Sequence, residues 1–237
     1  MAIQFSFGKV VTNGLVLALD ASDRNSYPGS GTTWRDMAGS NNGTLTNGPT
    51  FSSINGGSIL FDGSNDVVMI PRIYPGVLSI TSNITTTAWI YYRDIGYTSW
   101  MIVIDDMGSS PYTSWCMWID DSAPAAGKRI ATYDNGIWLR STSTVAPNRW
   151  NYIAMSKSGN TSSFYINSIF SNTVTFTALT NGIYTPETDT GTGIGSHTSN
   201  NYPFNGYISN VQVYNRALSA TEILQNYNAQ KSRFGLS

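Results

Sequence analysis

Short segments in which apolar or β-branched residues alternate with polar ones recur along most of the chain, and clusters of Gly, Asn, Pro and Ser separate them. Alternation with a period of two is typical of β-strands. Because no convincing helical pattern lies between the segments, a parallel α/β sheet is not expected. The sequence therefore predicts an all-β fold of two packed antiparallel sheets. The predicted strands are residues 14–20, 58–61, 67–70, 84–92, 100–105, 115–120, 129–134, 136–141, 150–157, 162–167, 172–176 and 206–215.

The predicted strand at 84–92 is apolar on both faces. Ala88, Ile90 and Tyr92 point one way, whereas Trp89 and Tyr91 point the other. A strand that buries both faces belongs at the centre of a sheet.

One short helix is predicted near the C-terminus. Ser219 stands three residues before Glu222, which is the spacing of a capping box, and Leu218 and Ile223 occupy the positions of a hydrophobic staple. We expect this helix to cover an open end of the sandwich with its apolar stripe. The stripe comprises Ile223, Leu224 and Tyr227.

Composition limits the partners of the chain. Only 11% of the residues are charged, and 13 basic against 14 acidic side chains give a net charge of −1. We therefore expect no binding to nucleic acid or to an anionic membrane, since both need a cationic surface, and no segment is long and apolar enough to span a membrane. The single cysteine, Cys116, allows no intrachain disulfide. The N-terminal residues lack the pattern of a signal peptide, so we expect synthesis in the cytoplasm.

The titratable residues do not fit a known hydrolase pattern. A glycoside hydrolase needs two carboxylates beside the scissile bond, but the only glutamates are Glu187, in a Thr- and Gly-rich segment, and Glu222, in the predicted helix cap. The only histidine, His197, lies in a predicted loop. No nucleophile-elbow, zinc-binding or phosphate-cradling motif is present. We expect a protein that is not an enzyme, and a glucan hydrolase stays as a further alternative.

Two pairs of aspartates lie at the ends of predicted strands and are candidate ligands for a calcium ion. Asp105, Asp106, Asp120 and Asp121 could meet at one rim of the sandwich, where their oxygens would suit calcium. The alternative, which we favour, is that they are solvated strand ends and turn residues. No other cofactor is expected.

Aromatic side chains are candidates for stacking on a sugar ring. Tyr97, Tyr112 and Tyr202 lie in predicted loops and are the candidate carbohydrate contacts. The tryptophans lie within predicted strands beside Met, Ile and Val, which favours core positions for most of them, although one or two could be exposed platforms. These residues are Trp100, Trp115, Trp118, Trp138 and Trp150.

Two blocks of sequence, residues 14–51 with 58–68 and residues 204–235, resemble the laminin-G-like or concanavalin-A-like lectin/glucanase jelly rolls, particularly those of bacteriophage structural proteins. The strand with Trp150 and Tyr152 resembles another part of that family. The resemblance implies an antiparallel two-sheet jelly-roll sandwich with one short C-terminal helix, formed by residues 14–237 after an N-terminal arm of residues 1–13. Positions that look fold-defining are Trp34, Phe61, Asp62, Gly63 and Asp66.

This family contains glycan binders, calcium-dependent adhesion modules, glucanases and structural parts of virions, so the resemblance is more specific for fold than for function. Our leading hypothesis is a non-enzymatic bacteriophage virion protein on the particle surface, most simply a capsid decoration or cement protein. The apolar arm agrees with this, because it could dock on a neighbouring subunit or close the sandwich edge of its own chain. The alternative is a carbohydrate-binding adhesin of a tail fibre or receptor-binding apparatus. Expected partners are other capsid or tail proteins, further copies of the chain and a cell-surface glycan.

Overall fold

A computed structural model describes residues 9–71, 76–80, 82–94, 100–106, 115–120, 127–134, 137–175, 191–197 and 202–237. These residues confirm the predicted all-β sandwich with one short C-terminal helix. The strands are β1 (Leu15–Asp20), β2 (Thr33–Trp34), β3 (Gly43–Thr46), β4 (Thr50–Ser52), β5 (Ser58–Asp62), β6 (Val67–Ile70), β7 (Ile84–Tyr92), β8 (Met101–Asp105), β9 (Cys116–Asp120), β10 (Lys128–Asp134), β11 (Ile137–Val145), β12 (Asn151–Ser158), β13 (Thr161–Ile166), β14 (Ile169–Thr175), β15 (Thr192–Ile194) and β16 (Asn205–Tyr214). The helix is α1 (Ala220–Gln230), and short 3-10 helices span Ile54–Gly56 and Lys231–Phe234.

The strands form two antiparallel sheets. Sheet A has the order β14-β13-β12-β7-β16-β5-β4, and β1 pairs with β16 as well. Sheet B has the order β11-β10-β9-β8-β15-β6-β3-β2. The position predicted for residues 84–92 is confirmed, because β7 lies between β12 and β16. Its residues Ala88, Ile90 and Tyr92 belong to the core between the sheets, whereas Trp89 faces the other way.

The family-like positions at 61–66 organise the turn between β5 and β6. Phe61 is fully buried in the core. The backbone N–H of Asp62 donates to Asp66 Oδ2 at 2.9 Å, and the N–H of Ser64 donates to Asp62 Oδ1 at 2.8 Å. Gly63 adopts a φ of 81°, which a residue without a Cβ reaches at little cost. The two carboxylates therefore fix a tight turn that joins the two sheets.

The predicted capping of α1 is confirmed. The N–H of Glu222 donates to the Ser219 hydroxyl, and the N–H of Ser219 donates to the Glu222 carboxylate at 2.9 Å. Both staple residues, Leu218 and Ile223, are buried. The hydrogen bond from Arg216 lowers the pKa of Glu222 to about 2. The cap is thus reinforced by an ion pair.

The position predicted for α1 was wrong, because the helix packs on the outer face of sheet A and not over an open end of the sandwich. The Trp89 ring projects outward from β7 and stacks on the Phe234 ring at 4.0 Å between centroids. The predicted stripe was also partly wrong, since Leu224 is 44% exposed, whereas Asn226 and Gln230 are buried. Polar side chains can be buried here because they find partners, as Trp89 Nε1 donates to Gln230 Oε1 at 2.9 Å.

The described part of the N-terminal arm, residues 9–13, packs on its own chain. Val11 is buried in the cluster beneath α1. Its N–H donates to Asn226 Oδ1 at 2.8 Å, and its carbonyl accepts a hydrogen bond from the Tyr214 hydroxyl at 3.0 Å. The apolar residues at 1–8 lie outside the described residues. In the described part of the chain no helix is long and apolar enough to span a membrane.

Candidate functional site

The outer face of sheet B carries a cluster of aromatic side chains. Within β9, Met117 and Ile119 enter the core between the sheets, so Cys116 and Trp118 point to the outer face. Neighbouring strands add further rings to this face. We call the surface formed by Trp100, Trp118, Tyr133, Trp138 and Tyr202 the tryptophan face.

The five rings form one continuous but faceted surface. Trp138 lies 4.2 Å from Trp100 and 4.7 Å from Trp118 between ring centroids, with interplanar angles of 61° and 46°. Tyr133 lies 5.0 Å from Trp138, and Tyr202 lies 5.0 Å from Trp118. These distances are typical of favourable aromatic pairs. Because the rings are inclined to one another, they enclose a corner and do not form a flat platform.

Exposure increases outward from the centre of this surface. Trp118 is 3% exposed, whereas Tyr202 is 50% exposed. The other three rings are half-buried. The tryptophan face therefore combines a fixed floor with rings that solvent reaches.

Asp105 fixes the orientation of the floor. Its Oδ2 accepts a hydrogen bond from Trp118 Nε1 at 3.0 Å, and its side chain is almost fully buried. Cys116 lies on the same face, 3.7 Å from the hydroxyl of Thr132. Burial raises the pKa of the Cys116 thiol, so the group stays protonated and is a poor nucleophile. These residues support the site and offer no reactive group.

A second carboxylate, Asp120, anchors the cation of the site. Asp120 is fully buried and forms an ion pair with Nε of Arg140. Arg140 Nη1 donates to the carbonyl of Trp138 at 3.1 Å, and its guanidinium carbon lies 5.2 Å from the centroid of the Trp100 ring. This places a cation over an aromatic face, a favourable arrangement. The Arg140 side chain keeps 27% of its surface exposed.

Tyr202 adopts a backbone conformation that is rare for an aromatic residue. Its φ is 58°, in the left-handed region, and it precedes Pro203. Such a residue costs of order 1–3 kcal/mol and persists only when its surroundings hold it. The N–H of Ile102 donates to the Tyr202 carbonyl at 3.1 Å, and the ring packs on Trp118. These contacts hold the ring at the edge of the tryptophan face.

Of the three tyrosines predicted as carbohydrate contacts, the structure places Tyr202 on this face. Tyr97 and Tyr112 lie outside the described residues. The core position favoured for the tryptophans is confirmed for Trp115, whose indole N–H donates to the Leu78 carbonyl at 3.1 Å inside the sandwich. Trp118 is buried as well, but in a cluster on the outer side of sheet B, where Trp100 and Trp138 pack against it and are half-buried. The sequence of residues 115–120 already indicated that some of these side chains lie outside the core, because both faces of that strand carry apolar side chains.

The predicted meeting of aspartates at one rim was wrong for the described residues. β8 and β9 are antiparallel neighbours in which Met101 pairs with Ile119 and Asp105 with Cys116. Asp105 and Asp120 therefore lie at opposite ends of the pair, since consecutive antiparallel strands end at opposite rims. Asp121 lies outside the described residues, among which no group of three or more His, Cys, Asp or Glu side chains could hold a metal.

The favoured alternative, solvated strand ends, was wrong as well. Asp105, Asp106 and Asp120 are 2%, 3% and 0% exposed. Each has a partner that offsets the cost of burial, and Asp106 accepts a hydrogen bond from the Thr192 hydroxyl at 2.6 Å. As for the candidate hydrolase acids, Glu222 belongs to the helix cap, and Glu187 lies outside the described residues.

Comparison with protein families assigns residues 62–224 to the laminin G-like family described as the concanavalin A-like lectin/glucanases superfamily. A search of curated protein sequences gave no match.

Solved structures show the same fold at low sequence identity. The sialidase of Trypanosoma rangeli has 16% identity and a TM-score of 0.66 over 93% of this chain, which spans 33% of that protein. The binding domain of botulinum neurotoxin serotype D has 14% identity and a TM-score of 0.63 over 93% of this chain and 53% of its own. The receptor binding domain of the C/D mosaic serotype has 14% identity and a TM-score of 0.66, with coverages of 93% and 52%. The chain thus spans about a third of the sialidase and about half of each toxin domain.

Proposed function

The chain belongs to the concanavalin A-like lectin/glucanase superfamily, and from that premise we propose that it is a non-enzymatic carbohydrate-binding protein whose contact surface is the tryptophan face. The observation that carries this proposal is the cluster of five rings on the outer side of sheet B, with Trp118 as its fixed floor and Tyr202 as its exposed edge. Aromatic rings suit the apolar face of a sugar, because they offer a large contact area at a low cost in side-chain entropy.

The geometry of the rings favours one sugar unit in a corner over a flat chain. Interplanar angles of 43° to 84° relate Trp100, Trp118, Trp138 and Tyr202. Rings inclined in this way can contact a single sugar from two sides, but they cannot lie parallel beneath successive units of an extended chain. Arg140 adds a hydrogen-bond donor at the border of the corner. No metal ion is needed for these contacts.

Titration of the whole chain with sugars, chosen from a glycan array and followed by tryptophan fluorescence, tests the proposal. We expect Trp138→Ala to reduce the affinity by at least about tenfold, since it removes the ring at the centre of the corner. Trp150→Ala is the matched control, because Trp150 is also half-buried but lies with the cluster on the outer face of sheet A. We expect the control to keep full affinity, with or without a chelator. Equal losses in both variants, or no sugar bound by the unmodified protein, would contradict the assignment.

A second candidate function is the structural role on a bacteriophage particle, as a capsid decoration protein or as part of a tail. The exposed apolar residues at the start of β14, the edge strand of sheet A, favour a protein partner, since Ile169 is 72% and Phe170 is 53% exposed. Edge strands with apolar side chains are sites where another chain can pair. Immunogold electron microscopy of particles tests this role: label over the head supports decoration, label over the tail supports an adhesin, and unlabelled particles exclude both.

A further inference from the structure

Two arginines lie at the same end of the tryptophan face. Arg129 on β10 pairs directly with Asp120 on β9. Ala131, two residues along β10, belongs to the cluster on the outer side of sheet B, so Arg129 points to that side as well. Arg140 on β11 reaches the same carboxylate through its Nε. The Asp120 carboxylate thus pairs with Arg140, and Arg129 extends from the backbone position opposite Asp120 on the same face.

The hydrogen bonds of these two guanidinium groups are incomplete within the described residues. Arg140 uses Nε for Asp120 and Nη1 for the Trp138 carbonyl, which leaves Nη2 available to a ligand. Nε of Arg129 is buried and has no hydrogen-bond partner. A buried donor without an acceptor is costly and rare, so the Arg129 side chain keeps unused hydrogen-bonding capacity at this end of the tryptophan face. Asp120 offsets one of the two positive charges at this end of the tryptophan face, and the other carboxylate of the face, Asp105, lies at the opposite end of the strand pair.

We propose that the tryptophan face binds acidic sugars, with the carboxylate of the sugar accepting hydrogen bonds from Arg129 and Arg140 while its ring packs in the corner beside Trp138. This inference rests on the proposed carbohydrate binding and adds the chemical class of the ligand. Guanidinium groups match carboxylates in geometry and form stronger hydrogen bonds with them than with neutral acceptors. The carboxylate can belong to a sialic acid or to a uronic acid, which share this chemistry.

The first test changes the ligand and leaves the protein intact. We would titrate the full chain with 3′-sialyllactose and with trigalacturonate, and with the methyl ester of each as its neutral counterpart. At least one acidic ligand should bind about tenfold more tightly than its neutral counterpart, and its affinity should fall as salt concentration rises. The two acidic ligands distinguish the sources of the carboxylate. Equal affinity for an acidic ligand and its neutral counterpart would overturn the inference.

The second test changes the protein. Arg129→Gln should reduce the affinity for the preferred acidic ligand by about tenfold and leave the affinity for its neutral counterpart unchanged. Arg35→Gln is the matched control, since Arg35 is exposed and follows β2 at the far edge of sheet B. If Arg129→Gln fails to fold, as judged by near-UV circular dichroism, the inference is tested by comparing the affinities of the unmodified protein for the free acid and for its methyl ester.

The outcomes separate this inference from the proposed function. Neutral sugars that bind as well as acidic ones, with binding lost in Trp138→Ala, would overturn the acidic specificity and retain carbohydrate binding. The absence of binding to any sugar would overturn both.

Discussion

Replacement of Arg140 by methionine is expected to reduce the free energy of unfolding by about 2–3 kcal/mol. Asp120 is fully buried, so the variant would leave a carboxylate in the protein without its guanidinium partner. Breaking a fully buried ion pair costs about 3–5 kcal/mol. The value here should be lower, because the Arg140 side chain is 27% exposed and water can reach the vacated position. Loss of the contact with Trp100 adds about 0.5–1 kcal/mol.

A double-mutant cycle with Asp120→Asn isolates the interaction between the two side chains. Asparagine keeps the shape of the side chain but removes the charge that needs a cation. The double variant should therefore be more stable than the sum of the single changes predicts, by about 1–2 kcal/mol. Urea unfolding followed by tryptophan fluorescence measures all four proteins, and Arg35→Met controls for the loss of an exposed arginine. A cost below about 0.5 kcal/mol for Arg140→Met with no coupling would show that this is an ordinary surface pair, and would refute the reasoning.

Three further predictions concern the edge of the site, the core and the helix cap. Tyr202→Asn should keep or raise the melting temperature, since asparagine tolerates a positive φ, but it should weaken sugar binding because the exposed ring is lost; a lowered melting temperature would contradict this. Gly195→Ala should lower the free energy of unfolding by more than about 3 kcal/mol, because the added Cβ would lie 2.1 Å from the ring of Phe61. Gly235 is also at positive φ, but no atom lies within 4 Å of the position of its Cβ, so Gly235→Ala should cost only about 1 kcal/mol. Urea unfolding measures both variants. The pKa of Glu222 is lowered to about 2 from 4.5, so its contribution is present above pH 4.5 and is lost as the pH falls toward 2. Glu222→Gln should therefore be less stable than the parent at pH 7 and equally stable near pH 2, and a difference in melting temperature that does not change with pH would contradict this.

Long strands could be predicted from the sequence because they carry enough residues to show a period of two. The predicted bounds of 84–92 agree with β7 as observed, and the four-residue β6 was predicted from its run of apolar residues and not from alternation. β2, β3, β4 and β15 were missed, since strands of two to four residues are too short to show the pattern. They form only because neighbouring strands supply their hydrogen-bond partners, and that information is tertiary.

The candidate site was predictable only in part, for two different reasons. Asp105 and Asp120 each lie at the end of one of two consecutive antiparallel strands. Strand direction alone therefore predicts that they lie at opposite ends of the pair. The grouping of Trp100, Trp138 and Tyr202 depends on the lateral order of strands and on a residue at positive φ. Neither follows from local sequence, because both are decided by which strands pair.

The two outer faces of the sandwich explain why the site lies on sheet B. Both faces are apolar, which is unusual for a sandwich whose outer side chains normally meet water. On sheet A the chain covers this surface itself, with Ile223 of α1 and Phe234 packed over Trp89. On sheet B no helix of the described residues covers the tryptophan face, and Tyr202 remains half exposed there. Within the described residues, the apolar surface is thus covered on sheet A and partly exposed on sheet B, which is the condition that the proposed contact with a sugar requires.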